Sequence, residues 1–241
     1  MRPRPARAVL GILVSCAGLV VIDLMLFGNG LVLTVDAAVH RAGFNDRWPE
    51  FFPMAKAIEL FGQRAPTSVL AILTAAVLAL RRHTLRPLLV LGGALLALNV
   101  VVGGLKLTTG RLKPRTDMAD LFHDGGIIFP SGHAANVVLT WAVLSYLLVR
   151  FGDRLWRPGV LAGAVAAVSL GVGAVSVYLD THWVSDIVVG WLVGAAIFVG
   201  TVLVDQLVDR YSAGRLETAD TPVSGGIPVG VGGRRNSDLA A

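Results

Sequence analysis

Six apolar runs, at about 8–28, 66–81, 87–107, 133–150, 158–179 and 184–206, dominate this 241-residue chain. A helix of roughly 20 mostly apolar residues crosses the hydrocarbon core of a bilayer. Backbone polar groups find no water there, so each run has to close its own hydrogen bonds, which a helix does. Only 15% of the residues are charged while 54% are hydrophobic, a balance that excludes an ordinary soluble domain. The expectation is an all-α protein: a six-transmembrane-helix bundle over residues 1–206. A cytoplasmic tail, 207–241, follows, rich in Gly, Pro and polar residues from Ser212 onward and expected to be disordered.

Between the first two runs, Trp48 to Phe61 mixes aromatics with charges at roughly helical spacing, which predicts an extra interfacial helix there. Charge placement predicts orientation. With the N-terminus inside, the inner segments hold 13 of the 21 basic residues, including Arg81, Arg82, Arg86, Arg150, Arg154 and Arg157. That bias favours both termini in the cytoplasm of a plasma-membrane protein and places the loops after the third and fifth spans outside. The arginines of the two short inner loops are read as topological. The net charge of +5 then belongs to membrane flanks meeting lipid and does not imply nucleic-acid binding. A single cysteine, Cys16, lies in the first run and is assigned a packing role. That run is long for a signal peptide and lacks a clear cleavage site, so it is read as an uncleaved span. Asp23 is the one ionisable residue well inside a run away from these loops, which argues against a transporter or channel. Gly92-Gly93, Gly103-Gly104 and Gly171/Gly173 are candidate points of close helix approach.

The outer loops carry the chemistry. Ser131 is a good N-cap for the fourth apolar helix, Gly132 leaves its backbone accessible, and His133 follows. Free amides and the helix dipole at such a start favour an anion. His182 and Asp186 stand four residues apart, on one helical face, so the carboxylate can fix the imidazole tautomer and leave the other nitrogen as a nucleophile. Lys106, Arg111, Lys113 and Arg115 form a cationic segment on the same outer surface. Cations, amides and paired histidines suit a phosphate group.

These residues, in this order, resemble the signatures of the type 2 phosphatidic acid phosphatase family, the integral-membrane lipid phosphate phosphatases. The first signature, Lys-x6-Arg-Pro, stands here as Lys106-x6-Lys113-Pro114. The second, Pro-Ser-Gly-His, is complete at Pro130–His133. The third, Ser-Arg-x5-His-x3-Asp, keeps His182-x3-Asp186. The resemblance covers about residues 60–205 and implies six spans. It makes His182 the nucleophile, Asp186 its orienting partner and His133 the proton donor to the leaving oxygen. Lys106, Lys113, Ser131 and Gly132 would hold the phosphate oxygens, with no metal and no cofactor required.

Two positions depart from that pattern. Lys113 replaces an arginine, keeping charge without the bidentate fork, and Ser176 replaces the arginine of the third signature, losing the charge. Arg111 or Arg115 is expected to compensate, or Ser176 to make room for a larger substituent, while Asp180 could take a substrate hydroxyl. The resulting expectation is a membrane lipid phosphate phosphatase. It would hydrolyse a phosphomonoester or diphosphate of a polyprenyl lipid or phospholipid at the extracytoplasmic face through a phosphohistidine. The alternative is a catalytically impaired relative that binds lipid phosphate, or a partner, without turnover.

Overall fold

The computed structural model of the chain describes residues 9–18, 20, 30–116, 126–153 and 155–219, with side chains as far as 212. Among these residues there are helices and turns and no strand. Five helices are long and apolar enough to cross a membrane: α5 (Arg64–Arg81), α6 (Arg86–Thr108), α7 (Gly132–Phe151), α8 (Pro158–Tyr178) and α9 (Val184–Ala219). They match the second to sixth expected spans. The first expected span is helical over Val9–Gly18 (α1), and residues 19 and 21–29, including Asp23, lie outside the described residues. Cys16 is exposed on α1, so the packing role assigned to it does not hold.

In place of one helix between the first and second spans there are three short ones, α2 (Leu31–Arg41), α3 (Phe44–Arg47) and α4 (Phe52–Glu59). The aromatic segment expected to be a helix is α4 with a 3-10 turn on each side, broken by Pro49 and Pro53, which suit helix starts and not interiors. The last helix continues past the expected end at 206 to Ala219, because Gln206 to Ala219 contains no proline and one glycine among good helix formers. The chain divides into a unit ending at Asp205 and another beginning at Gln206, and residues 220–241 of the tail lie outside the described residues.

Helix α7 is the central element of the first unit. Half of its span is buried, against 28% for each of the other four, and it packs on α5, α6 and α8. Its residues Ala135, Leu139, Val143 and Leu147 meet Ala71, Ala75, Leu91, Ala94 and Leu98 in one apolar core. The outward faces of α5 and α6 carry exposed Leu73, Val77, Leu80, Leu89, Leu96 and Val100, a surface suited to lipid. Close approach occurs where α9 crosses α7. A Cβ on Gly190 would lie 2.6 Å from Ser131 O, and one on Gly194 would lie 2.5 Å from Ala135 O. Gly173 similarly makes room for the Trp191 ring. Gly92, Gly93, Gly103 and Gly104 meet nothing among the described residues, so within them the small-residue signal on α6 does not mark a helix contact.

Polar side chains close both ends of the bundle. At one end, Arg82 donates to Phe151 O and Gly152 O at 2.7 Å each, capping the C-terminus of α7. There too, the buried Asp205 receives Arg86 Nε at 2.6 Å, Arg150 Nε at 3.1 Å and the Tyr146 hydroxyl. These arginines, read from sequence as topological, also fasten helix ends. Gly194→Val should lower stability by about 1–3 kcal/mol, because a backbone carbonyl cannot yield to the added methyls. The unfolding temperature in detergent should fall for this variant and stay put for Gly92→Val.

Candidate active site

The site forms where the starts of α7 and α9 meet the loop after α6. Ser131 takes extended backbone angles and its Oγ accepts from the Ala134 amide at 3.2 Å, a standard N-cap. The Gly132 and His133 amides, the next two of α7, have no partner among the described residues. The Ser131 amide donates to the Asp186 backbone carbonyl at 2.9 Å, locking the two helix starts together. The rings of His133 and His182 consequently lie close together, with centroids 6.3 Å apart and planes tilted by 59°.

His182 directs Nδ1 at Asp186 Oδ2, 3.3 Å away, which leaves Nε2 for chemistry. The same carboxylate oxygen accepts the Trp183 amide at 3.1 Å. Asp186 is thus the third residue of α9 reaching back to the residue before the helix, half of a capping box. Its other oxygen receives Arg111 at 2.6 Å. Arg111 is fully buried and also donates to Asp36 Oδ2 and Ser185 Oγ, both at 2.6 Å. Asp36, from α2, in turn accepts the Ser185 amide at 2.9 Å and its hydroxyl at 2.5 Å. Two carboxylates therefore sit on the N-terminus of α9, where the helix dipole favours them, and one guanidinium joins them. Trp183 completes the seal. Its ring packs under the Arg111 guanidinium at 5.4 Å, and its indole N–H donates to Leu112 O at 2.9 Å.

The cationic segment therefore separates into distinct roles. Lys106, in the last turn of α6, donates to Ile127 O, and its Cε comes within 3.9 Å of where a Cβ on Gly132 would stand. Arg111 is not available to a substrate, since its guanidinium is held by Asp36, Asp186 and Ser185. Lys113 is exposed and makes no side-chain bond among the described residues. Arg115 turns away to Leu179 O, at 3.3 Å, and lines a separate polar cavity of about 390 Å³ with His40, Asp46 and Asp180. Asp180 there pairs with His40 at 2.8 Å. Ser176 is buried in the last turn of α8, its hydroxyl bonded back to Val172 O at 2.8 Å. The guanidinium of Arg111 is thus engaged by two carboxylates and a hydroxyl, and that of Arg115 by a backbone carbonyl.

Sequence reading missed Asp36, Glu59 and Arg64. Asp36 had a signal: it is a lone acid within Leu31-Val32-Leu33-Thr34-Val35-Asp36-Ala37-Ala38-Val39, an otherwise apolar stretch, and isolated charges in such settings are paired. Glu59 and Arg64 join Lys106 and His182 as the charged or titratable groups acting on His133. Among the described residues no cluster of acids, histidines or cysteines has the arrangement of a metal site.

Residues 87–209 match the family model described as the PAP2 superfamily. The chain is 30% identical over 187 residues to phosphatidylglycerophosphatase B of Bacillus subtilis (strain 168), over 75% of this chain and 88% of that protein. It is also similar to the crystal structure of a transmembrane PAP2-type phosphatidylglycerolphosphate phosphatase from Bacillus subtilis. The TM-score is 0.70 at 25% identity, covering 81% of this chain and 96% of that one. The chain belongs to the PAP2 superfamily. It is a multi-pass membrane phosphatase, a hydrolase acting on phosphate esters.

Removing one partner of a buried ion pair costs about 3–5 kcal/mol, because the other charge is stranded. Asp36→Ala should therefore lower the unfolding temperature in detergent and depress kcat more than it raises KM. Asp36 is buried with its carboxylate bonded to Arg111 and Ser185, so an unaltered kcat would contradict a positioning role for it.

Proposed function

We propose that this PAP2 phosphatase removes phosphate from a membrane lipid at the extracytoplasmic face, through a phosphoryl group carried on His182. The observation that carries the reading is the pair of imidazoles, 6.3 Å apart, beside a start of α7 whose first two amides have no partner among the described residues. In the first step the His182 Nε2 lone pair forms the N–P bond as the ester P–O bond breaks. The departing alkoxide takes a proton from His133. Asp186 balances the positive charge that develops on the His182 ring. In the second step His133, now neutral, removes a proton from water as its oxygen attacks phosphorus. The N–P bond breaks, giving inorganic phosphate and restoring both histidines. Phosphoryl transfer asks mainly for alignment and charge neutralisation, which Lys106 and the Gly132 and His133 amides would supply to the non-bridging oxygens.

A phospholipid or polyprenyl phosphate fits a site at the end of the apolar bundle. The names of the two relatives favour phosphatidylglycerophosphate as the first substrate to test. The basic residues flanking the spans support N-in, C-in topology, with this end of the bundle outside. Lys113 and the back-bonded Ser176 support the second reading, a relative that binds lipid phosphate without turnover.

Phosphate release should be measured from phosphatidylglycerophosphate, phosphatidic acid and polyprenyl mono- and diphosphates, with chelator present. Wild type should turn over at least one of these, and His182→Ala should fall by about three orders of magnitude or more, the scale of a lost covalent nucleophile. Wild type quenched with alkali during turnover should carry an acid-labile, alkali-stable phosphoenzyme that is absent from His182→Ala, and His133→Ala should lose turnover because both steps would lack their proton partner. Equal background release from wild type and His182→Ala would favour the binding reading.

A further inference from the structure

Gly132 is approached from outside the described signatures as well as from within them. A Cβ placed there would lie 3.4 Å from Arg64 Nη2 and 3.9 Å from Lys106 Cε, so two cations converge on the first residue of α7. Arg64 belongs to the start of α5 and falls outside the residues matched by the family model, 87–209.

Its placement is enforced from three directions. Asn136, fully buried in α7, donates to Gly62 O and to Thr67 Oγ1 at 3.0 Å each, and Trp141 donates to Phe61 O at 3.0 Å. These bonds pin the turn that leads into α5 against α7. Gly62 itself has no room for a side chain, since a Cβ would come within 2.6 Å of Val172 and 3.5 Å of His133. The guanidinium is then aimed by Asn99, whose Oδ1 accepts Arg64 Nη1 at 2.9 Å while its amide nitrogen is tied to Leu95 O. Asn99 and Lys106 are seven residues apart on α6, two turns along one face. The Arg64 side chain therefore runs beside the face that carries Lys106. It is exposed, and no carboxylate neutralises it among the described residues.

We propose that Arg64 is a phosphate-binding residue of this site, gripping a non-bridging oxygen of the substrate together with Lys106 and the α7 amides. Asn99 acts as its positioning residue. A guanidinium presents paired N–H donors matched to phosphate, which an ammonium does not. With Arg111 locked in its ion pairs and Ser176 turned into its own helix, Arg64 supplies from α5 the fork that the other helices lack.

The inference rests on the phosphatase reading, but inorganic phosphate binding tests it apart from turnover. Titration of the detergent-solubilised protein by calorimetry, in wild type and in His182→Ala, should detect phosphate binding in both. Arg64→Ala should weaken it about tenfold or more in either background. Arg64→Lys should recover part of the loss, and Asn99→Ala should lose about threefold. In turnover, Arg64→Ala should raise KM for the lipid phosphate at an unchanged unfolding temperature. Arg81→Ala, at the other end of α5, should match wild type throughout. The proposal is overturned if Arg64→Ala binds phosphate as wild type does, if its only effect is a lowered unfolding temperature, or if wild type binds no phosphate. Loss of turnover in His182→Ala with unaltered phosphate binding in Arg64→Ala would leave the phosphatase standing and remove Arg64 from it.

Discussion

Arg111 holds the site together. A guanidinium with no exposure at the edge of a membrane bundle is tolerable only with its charge and donors fully engaged, and Asp36, Asp186 and Ser185 engage them. The pairing works in both directions. Two carboxylates this close would repel each other without the cation between them, and α9 could not then begin where it does. Because Arg111 comes from the loop after α6 and Asp36 from α2, the carboxylate beside His182 is fixed by a residue 75 positions before it, which is held in turn by one 75 positions earlier still. The His182 ring direction is therefore set by the fold and not by its own helix alone.

The rest of the bundle is arranged to bring two helix starts to one point. Small residues at Gly190 and Gly194 let α9 lie against the α7 backbone, and that contact places the Ser131 amide on the Asp186 carbonyl. The close pair of histidines follows from this crossing. At the far end, Asp205 with Arg86, Arg150 and Tyr146 fastens α6, α7 and α9, so the helices are held at both ends with an apolar core between.

Hydropathy made the long helices legible, since a run that must satisfy its backbone in lipid has one solution. The meeting of His133, His182 and Asp186 was legible too, because their partners are near in sequence or belong to a recognisable signature. The cations were not. Lys106, Arg111, Lys113 and Arg115 look alike along the chain, and only the folded surroundings separate the one locked in ion pairs from those bonded to a backbone carbonyl, exposed or lining a cavity. Asp36, Glu59 and Arg64 come from short helices between the first two spans and from the first residue of α5, and nothing in their local sequence spacing ties them to the histidine loops. The glycine pairs on α6 misled for a related reason: composition names residues that permit close approach, and only the neighbour decides whether it occurs.

Asp186 accepts the Trp183 amide and the His182 ring with the same oxygen, so one atom serves both the architecture and the chemistry. His133 carries no such double duty. Descendants of this chain that abandoned catalysis would thus find the two histidines free to drift while the aspartate stayed. A surviving carboxylate beside a vanished imidazole would be the fossil by which such a pseudoenzyme is known.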